Sequence, residues 1–525
     1  MPVAEQVNMG IEAKIQELEE KRASLMEGGG KERIAKQHQS GKLTARERID
    51  RLTDSASFQE IGLFAKHHAA LFGMADKELA ADGVVTGAAT VDGRLIHLAS
   101  QDFTVGGGAA GEVHSDKVAE MMRYSLKTGS PFVFINDSGG ARVQEGINSL
   151  AGYGRVFYMN VMLSGVVPQV SLICGPCAGG AAYSPALTDF IIQTKGAQMF
   201  ITGPSVIKQV TGEVVTPEEL GGPAAQMTYS GVVHFIAEND EEATLICRRL
   251  LSFLPSNNLE DPPRQPYEGS LDPDPAINHL VPDDGKVAYD MRSVIGALLD
   301  QGTFLEVQLS FAQNILIGFG RIAGRPVGII ANQPSVMAGA LDINASDKAA
   351  RFIRFCNAFN IPLVTLVDVP GFMPGVQQEY GGIIRHGAKL LFAYSAATVP
   401  KVTVIVRKAY GGAYLAMCGK DLGADRVVAW PTAQIAVMGA EGAVEVVFRK
   451  EINEAKGKEA QTERRKELID LYRNTFSNPY VAGGTRLVDD IIEPAQTRRY
   501  LAMALEALQT KRELRPAKKH GLMPL

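Results

Sequence analysis

The sequence is poor in cysteine: five thiols (Cys174, Cys177, Cys247, Cys356, Cys418) are scattered over 525 residues. An odd, dispersed set excludes a disulfide framework and points to reduced thiols in a cytoplasmic setting. Cys174-Gly-Pro-Cys177 spells CxxC, yet no second CxxC or HxxxH supplies the remaining soft ligands of a tetrahedral zinc. Two buried structural thiols are the favoured reading, and no bound metal is expected. Surplus positive charge is missing too, because the net charge is −5, so bulk charge gives no support to a nucleic-acid partner. No apolar h-region opens the chain and no apolar run reaches the ~20 residues that span a bilayer, so membrane insertion is not expected. Nucleotide-phosphate motifs are also missing. There is no GxxxxGK[ST], and the Gly106 to Gly111 stretch lacks Rossmann spacing. A GxSxG elbow is absent, which leaves Ser138 a weak nucleophile.

What is present is an ordinary globular balance, 46% hydrophobic and 21% charged, in a chain long enough for several cores. Residues 8–51 read as two charged helices broken at Gly28-Gly29-Gly30, with a solvated or subunit-packing face preferred over a grip on phosphate. Seven prolines between Pro255 and Pro282 mark a linker. The expected divisions are a helical segment at 1–55, a first domain at 56–258, a linker at 259–285 and a second domain at 286–525.

The two domains repeat each other. Asp116-Lys117 recurs as Asp347-Lys348, Pro131 as Pro362 and Asp137 as Asp368, each 231 residues on. Downstream, VPQVSLICGPCAGGAAY answers VPKVTVIVRKAYGGAY, and GAQMFITG answers TAQIAVMG. Ordered matches at nearly constant spacing establish an internal duplication. Each unit alternates short β-branched apolar runs with helices, which predicts an α/β fold with parallel strands and right-handed crossovers. Ligands in such sheets sit beyond the carboxyl ends of the strands, where both glycine turns of each unit fall.

Glycine after a strand and before a helix allows positive φ and a close backbone approach, and the helix start presents unpaired N–H groups. Two adjacent turns (Asp137-Ser-Gly-Gly-Ala-Arg142 and Gly175-Pro-Cys-Ala-Gly-Gly-Ala181) therefore suit an oxyanion hole, and Val369-Pro-Gly371-Phe372 with Gly411-Gly412-Ala413 repeat the arrangement. Side-chain acids and bases are scarce, and Glu145 is the one candidate weighed. Such a site suits enolate chemistry with two bound carbonyl-type oxygens.

At ASQDFTVGGGAAGE, INDSGGARVQEG, GPCAGGAAYSPALTDFI, ANQPSVMAGALDINASDKAARFIRFC, VDVPGFMPGVQQEYGGIIRHGAKLL and RKAYGGAYLAMCGKDLGAD the sequence resembles the carboxyltransferase subunits of biotin-dependent acyl-CoA enzymes. These are a branch of the crotonase superfamily, and the likeness extends over nearly the whole chain. It runs most closely to members acting on methylmalonyl-CoA and propionyl-CoA. The resemblance implies two tandem crotonase-like (ClpP/crotonase) domains. The first would bind the CoA thioester, its carbonyl near Gly140, Ala141, Gly180 and Ala181. The second would bind biotin, its ureido oxygen near Gly371, Phe372, Gly412 and Ala413. Leu415, often Asp in propionyl-CoA carboxylase members, would contact the acyl pocket on the biotin side. No biotinylation site or ATP-grasp segment is present, so biotin would arrive on a separate carrier protein. A second subunit would recharge or discharge that carrier, and the chain would form a homohexamer. Two other readings are a biotin-independent CoA hydratase, isomerase or decarboxylase using Glu145, and a scaffold that only docks a carrier.

Overall fold

Beta-branched and aromatic runs that alternate with helical stretches form two mixed sheets of eight strands each. The computed structural model describes residues 10–525, and the chain divides into two compact units. Unit 1 runs through Ser252 and includes Ser256–Asn258; unit 2 holds Phe253–Pro255 and Leu259–Leu525.

Three helices open the described chain: α1 (Ile11–Met26), α2 (Lys31–Gln39) and α3 (Ala45–Leu52). The charge pattern suggests two. The second break comes at Gly41, whose φ is +78°, and α3 then starts on a capping box formed by Thr44 and Glu47. Nor is α3 a solvated face, because Arg48, Ile49 and Leu52 are all buried.

The strands of unit 1 are β1 (Gln59–Glu60), β2 (Val84–Val91), β3 (Arg94–Gln101), β4 (Phe132–Ser138), β5 (Gln169–Ala178), β6 (Phe190–Thr194), β7 (Gln198–Phe200) and β8 (Phe235–Ala237). Their order is β1-β2-β3-β4-β5-β6-β8, with β7 also on β5. The β1–β3 pairings are antiparallel, and the rest are parallel. Unit 2 contains β9 (Leu305–Val307), β10 (Ile315–Ile322), β11 (Arg325–Asn332), β12 (Leu363–Val369), β13 (Lys401–Tyr410), β14 (Arg426–Ala429), β15 (Gln434–Ala436) and β16 (Asp490–Ile491). It repeats the plan strand for strand, β9-β10-β11-β12-β13-β14-β16, with β15 on β13. The segment 259–285 lies against unit 2: Gln265 N–H donates to Gly324 O, and Ile277 joins that unit's core.

Every residue of β4 and β12 is buried, as expected for central parallel strands covered on both faces. Phe132 and Phe134 point into a core with Val118 and Met122 of α4 (Glu112–Thr128) and Val156 and Met159 of α5 (Ile147–Leu163). Burying each such side chain contributes about 1.5–3 kcal/mol. By the two-residue period of a strand, Asp137 leaves β4 on the opposite face, towards α3.

Both sheets break register at the same place. Asn136 pairs with Ile173 but Ser138 with Cys177, and Val367 pairs with Ile405 but Val369 with Ala409. The longer strand of each pair carries its extra residues just before the glycine turn, a bulge that re-aims the turn itself.

Candidate active site

Each glycine turn follows the carboxyl end of a central strand. In unit 1 the turn after β4 is stitched to the loop Gly106–Gly108: Gly139 N–H donates to Gly107 O (2.9 Å), Ala110 N–H to Gly140 O (2.9 Å) and Arg142 N–H to Ala110 O (2.9 Å). Gly140 sits at φ +100°, where an L side chain is strained, and a Cβ there would lie 3.2 Å from Ala178 O of β5. The turns after β4 and β5 are therefore side by side. The turn after β5 leads directly into α6 (Gly180–Leu187), which has no side-chain cap, and no acceptor among the described residues meets the Gly180 or Ala181 amides. Those are open first-turn donors.

Unit 2 repeats the stitching. Leu341 N–H donates to Gly371 O (3.1 Å), and Met373 N–H to Leu341 O (2.8 Å). Among the described residues nothing accepts from the amides of Gly371 and Phe372, nor from those of Gly412 and Ala413 at the start of the helix Gly411–Ala416. Leu415 lies on that short helix and is 38% exposed.

A buried aspartate ends each central strand, but its counter-charges come from different elements. Asp137 accepts from Arg48 (2.9 Å), Lys42 (2.7 Å) and Gln37 (3.1 Å), all in the first 55 residues. Arg48 also donates to Asp240 at 2.7 Å. Asp368 instead accepts from Arg407 (3.0 Å) on the neighbouring strand and from the Tyr289 hydroxyl (3.0 Å). The position equivalent to Arg407 is Gly175, where a Cβ would come within 2.0 Å of Asp137 Oδ1. Charged partners of this kind make a carboxylate tolerable in the interior.

Glu145 is locked in place. Its carboxylate accepts from the Glu112 amide (2.7 Å) at the start of α4 and from Arg142 (2.8 Å), and its side chain is only 6% exposed. Arg142 in turn donates to Asp82 at 2.6 Å. Each carboxylate oxygen is thus engaged, one by a helix N-terminus and one by a buried ion pair, which speaks against a Glu145-driven reaction. Ser138 is equally occupied: its hydroxyl donates to Gly108 O (2.7 Å) and accepts from Gly140 N–H (3.0 Å). It is not a nucleophile. Sequence reasoning missed both the Arg48 contact and this clamp, although the capping box before α3 was a readable sign that α3 is well formed.

The other titratable groups are structural. Burial pushes the Cys177 thiol up to about 12 and Cys174 well above its ordinary value, so both stay protonated and inert. Burial also pulls Lys117 down to about 8, while its ammonium donates to Ala81 O (2.7 Å) and Val84 O (2.5 Å). Among the described residues no group of three or more His, Cys, Asp or Glu could hold a metal. Among them also, no helix is long and apolar enough to cross a membrane.

Known proteins share this architecture. A family profile described as the carboxyl transferase domain matches residues 36–523. The methylmalonyl-CoA carboxyltransferase 12S subunit of Propionibacterium freudenreichii subsp. shermanii is 60% identical over 98% of each chain. The methylmalonyl-CoA decarboxylase subunit alpha of Veillonella parvula is 55% identical over 98% of this chain and 99% of its own. A propionyl-CoA carboxylase carboxyltransferase subunit of Haloferax mediterranei is 53% identical over 98% of this chain and 100% of its own. The transcarboxylase 12S crystal structure, described as a hexamer assembly with methylmalonyl-coenzyme A and methylmalonic acid bound, superposes with a TM-score of 0.97 at 59% identity over 100% of both chains. The expected tandem crotonase-like units are thus the fold, and the chain belongs to the carboxyltransferase family of biotin-dependent acyl-CoA enzymes.

Proposed function

We propose that this chain moves a carboxyl group between carrier-bound biotin and the α-carbon of a short acyl-CoA, the propionyl-CoA and methylmalonyl-CoA pair. The acyl-CoA side is residues 56–258 and the biotin side residues 286–525. The observation that carries the reading is a pair of equivalent turn sets, with the amides of Ala141, Gly180 and Ala181 in one and of Gly371, Phe372, Gly412 and Ala413 in the other lacking an acceptor among the described residues, beside a Glu145 carboxylate that is already engaged.

In unit 1, Ala141, Gly180 and Ala181 offer N–H groups to the thioester oxygen. Charge grows on that oxygen as the α-proton leaves, and a donor fixed in advance is worth about 3–4 kcal/mol there. In unit 2 the amides of Gly371, Phe372, Gly412 and Ala413 fit a ureido oxygen, and Leu415 borders the acyl end. Biotin, supplied by a separate carrier protein, provides the carboxyl group and the basic ureido nitrogen, which suits a site without a free side-chain base. The hexamer of the 12S structure supports a homohexamer, and the relatives' description as subunits fits a chain that works beside others. On this reading those others are a biotin carrier protein and a further subunit that recharges or discharges it, in the cytoplasm.

The full chain, incubated with methylmalonyl-CoA and free biotin, is expected to remove the carboxyl group only when biotin is present. Turnover of equal rate without biotin, or none with it, overturns the reading.

A further inference from the structure

The two turn sets are not chemically equal. In unit 1 the Ser138 hydroxyl takes the Gly140 N–H (3.0 Å) and donates to Gly108 O (2.7 Å). Ser138 is fully buried, so neither bond is exchanged with water. Its counterpart in unit 2 is Val369, which has no hydroxyl, and there the carbonyl of Gly339 is held by the Asn332 side-chain amide at 3.1 Å. The residue equivalent to Asn332 is Gln101. Both accept the amide of the strand-end aspartate, Asp137 or Asp368, at 3.2 Å, but the NH₂ group of Gln101 turns to His114 instead. Unit 2 therefore leaves the Gly371 amide open, whereas unit 1 closes the Gly140 amide within the protein.

We propose that Ser138 is a positioning residue of the acyl-thioester turn. Its hydroxyl ties the Gly139–Ala141 loop to the Gly106–Gly108 loop, so that Ala141 N–H is the donor this turn presents. The inference rests on the reading that unit 1 binds the acyl-CoA. A hydroxyl can donate and accept at once, which lets a single atom brace two backbone segments. Because the enolate oxygen carries more charge than the ground-state carbonyl, a loosened donor lowers kcat more than it raises KM.

Val369 shows that a β-branched side chain fits this strand position, so Ser138→Thr and Ser138→Val differ only in the hydroxyl. With the full chain, methylmalonyl-CoA and free biotin, Ser138→Val is expected to lower kcat by about tenfold or more, with both KM values within about twofold. Ser138→Thr keeps most of the wild-type turnover. Should Ser138→Val fail to melt cooperatively near the wild-type temperature, Ser138→Ala replaces it in the comparison with Ser138→Thr. Equal kcat with and without the hydroxyl overturns the inference, as does a loss that appears only in KM. A Gly180→Pro chain separates the two ideas. If it handles methylmalonyl-CoA normally, the acyl-CoA assignment to unit 1 fails; if it loses turnover while Ser138→Val does not, the Ser138 role alone fails.

Discussion

At the scale of single residues, hydrogen bonds fix protonation states that composition cannot. His114 is buried on α4 with its Nδ1 3.0 Å from Asp82 O, a carbonyl that can only accept. Its Nε2 lies 3.3 Å from the Gln101 side-chain nitrogen, and Gln101 already uses its oxygen to accept the Asp137 amide. The ring is therefore neutral, with the proton on Nδ1. Burial, reinforced by the nearby charges of Arg142 and Lys117, pulls it down to about 3. A depressed value means that the unfolded chain takes up a proton before the folded one does. The stability it contributes is complete above the ordinary histidine range and drains away as pH falls from about 6.5 towards 3. Urea unfolding of unit 1 at pH 4.5 should therefore be weaker than at pH 7 by about 2–3 kcal/mol on this account. Most of that difference should vanish in His114→Gln, and equal pH slopes in the two proteins would refute the assignment.

At the scale of elements, the least expected finding is what α3 does. Its sequence, ARERIDRL, reads as charged surface, yet Arg48 is buried and joins Asp137 of β4 to Asp240 of the helix Asp240–Leu251. Hydrophobic patterning carries no information about which charge finds a buried partner, because that depends on contacts 89 and 192 residues away in the chain. The strand-end aspartates, by contrast, were legible as a repeated pair, since each ends an apolar run at the same offset. The counter-charge has changed element between the repeats, from Arg48 on a helix to Arg407 on a strand, and Gly175 is small because its Cβ would strike Asp137. Arg48→Met should cost unit 1 about 3–5 kcal/mol, read from denaturant midpoints, because two buried carboxylates lose the guanidinium they share and are left with Lys42 and Gln37 on Asp137 and the Leu43 amide on Asp240. Arg48→Lys should recover only part of that, since one ammonium cannot reproduce the two directed bonds. A loss below about 1 kcal/mol in Arg48→Met would mean that Lys42 and Gln37 suffice for Asp137.

At the scale of the whole molecule, the duplication was readable because the features it repeats are backbone requirements: glycines at the turns, an acid at the strand end, and apolar strands of fixed length. The differences between the repeats lie in side chains that brace those turns, such as Ser138 against Val369, and no spacing announces them. The shared backbone permits the same perturbation in both halves. Gly180 and Gly412 occupy equivalent places in the first turn of their helices, where proline is tolerated because the N–H has no helical partner and the ring presets φ. A Cβ at Gly412 meets nothing within 4 Å, and at Gly180 it makes ordinary contact with Tyr153 at 3.5 Å. Proline at either place therefore deletes one donor with little strain. Losing such a donor should lower kcat by about 10²–10³. The signature that matters is the separation of effects. Gly180→Pro should weaken protection of unit 1 by acyl-CoA in thermal melts as well as lowering turnover. Gly412→Pro should leave that protection untouched while removing free-biotin-dependent turnover. Identical losses in the two chains across all these measurements would show that the halves do not divide the substrates between them.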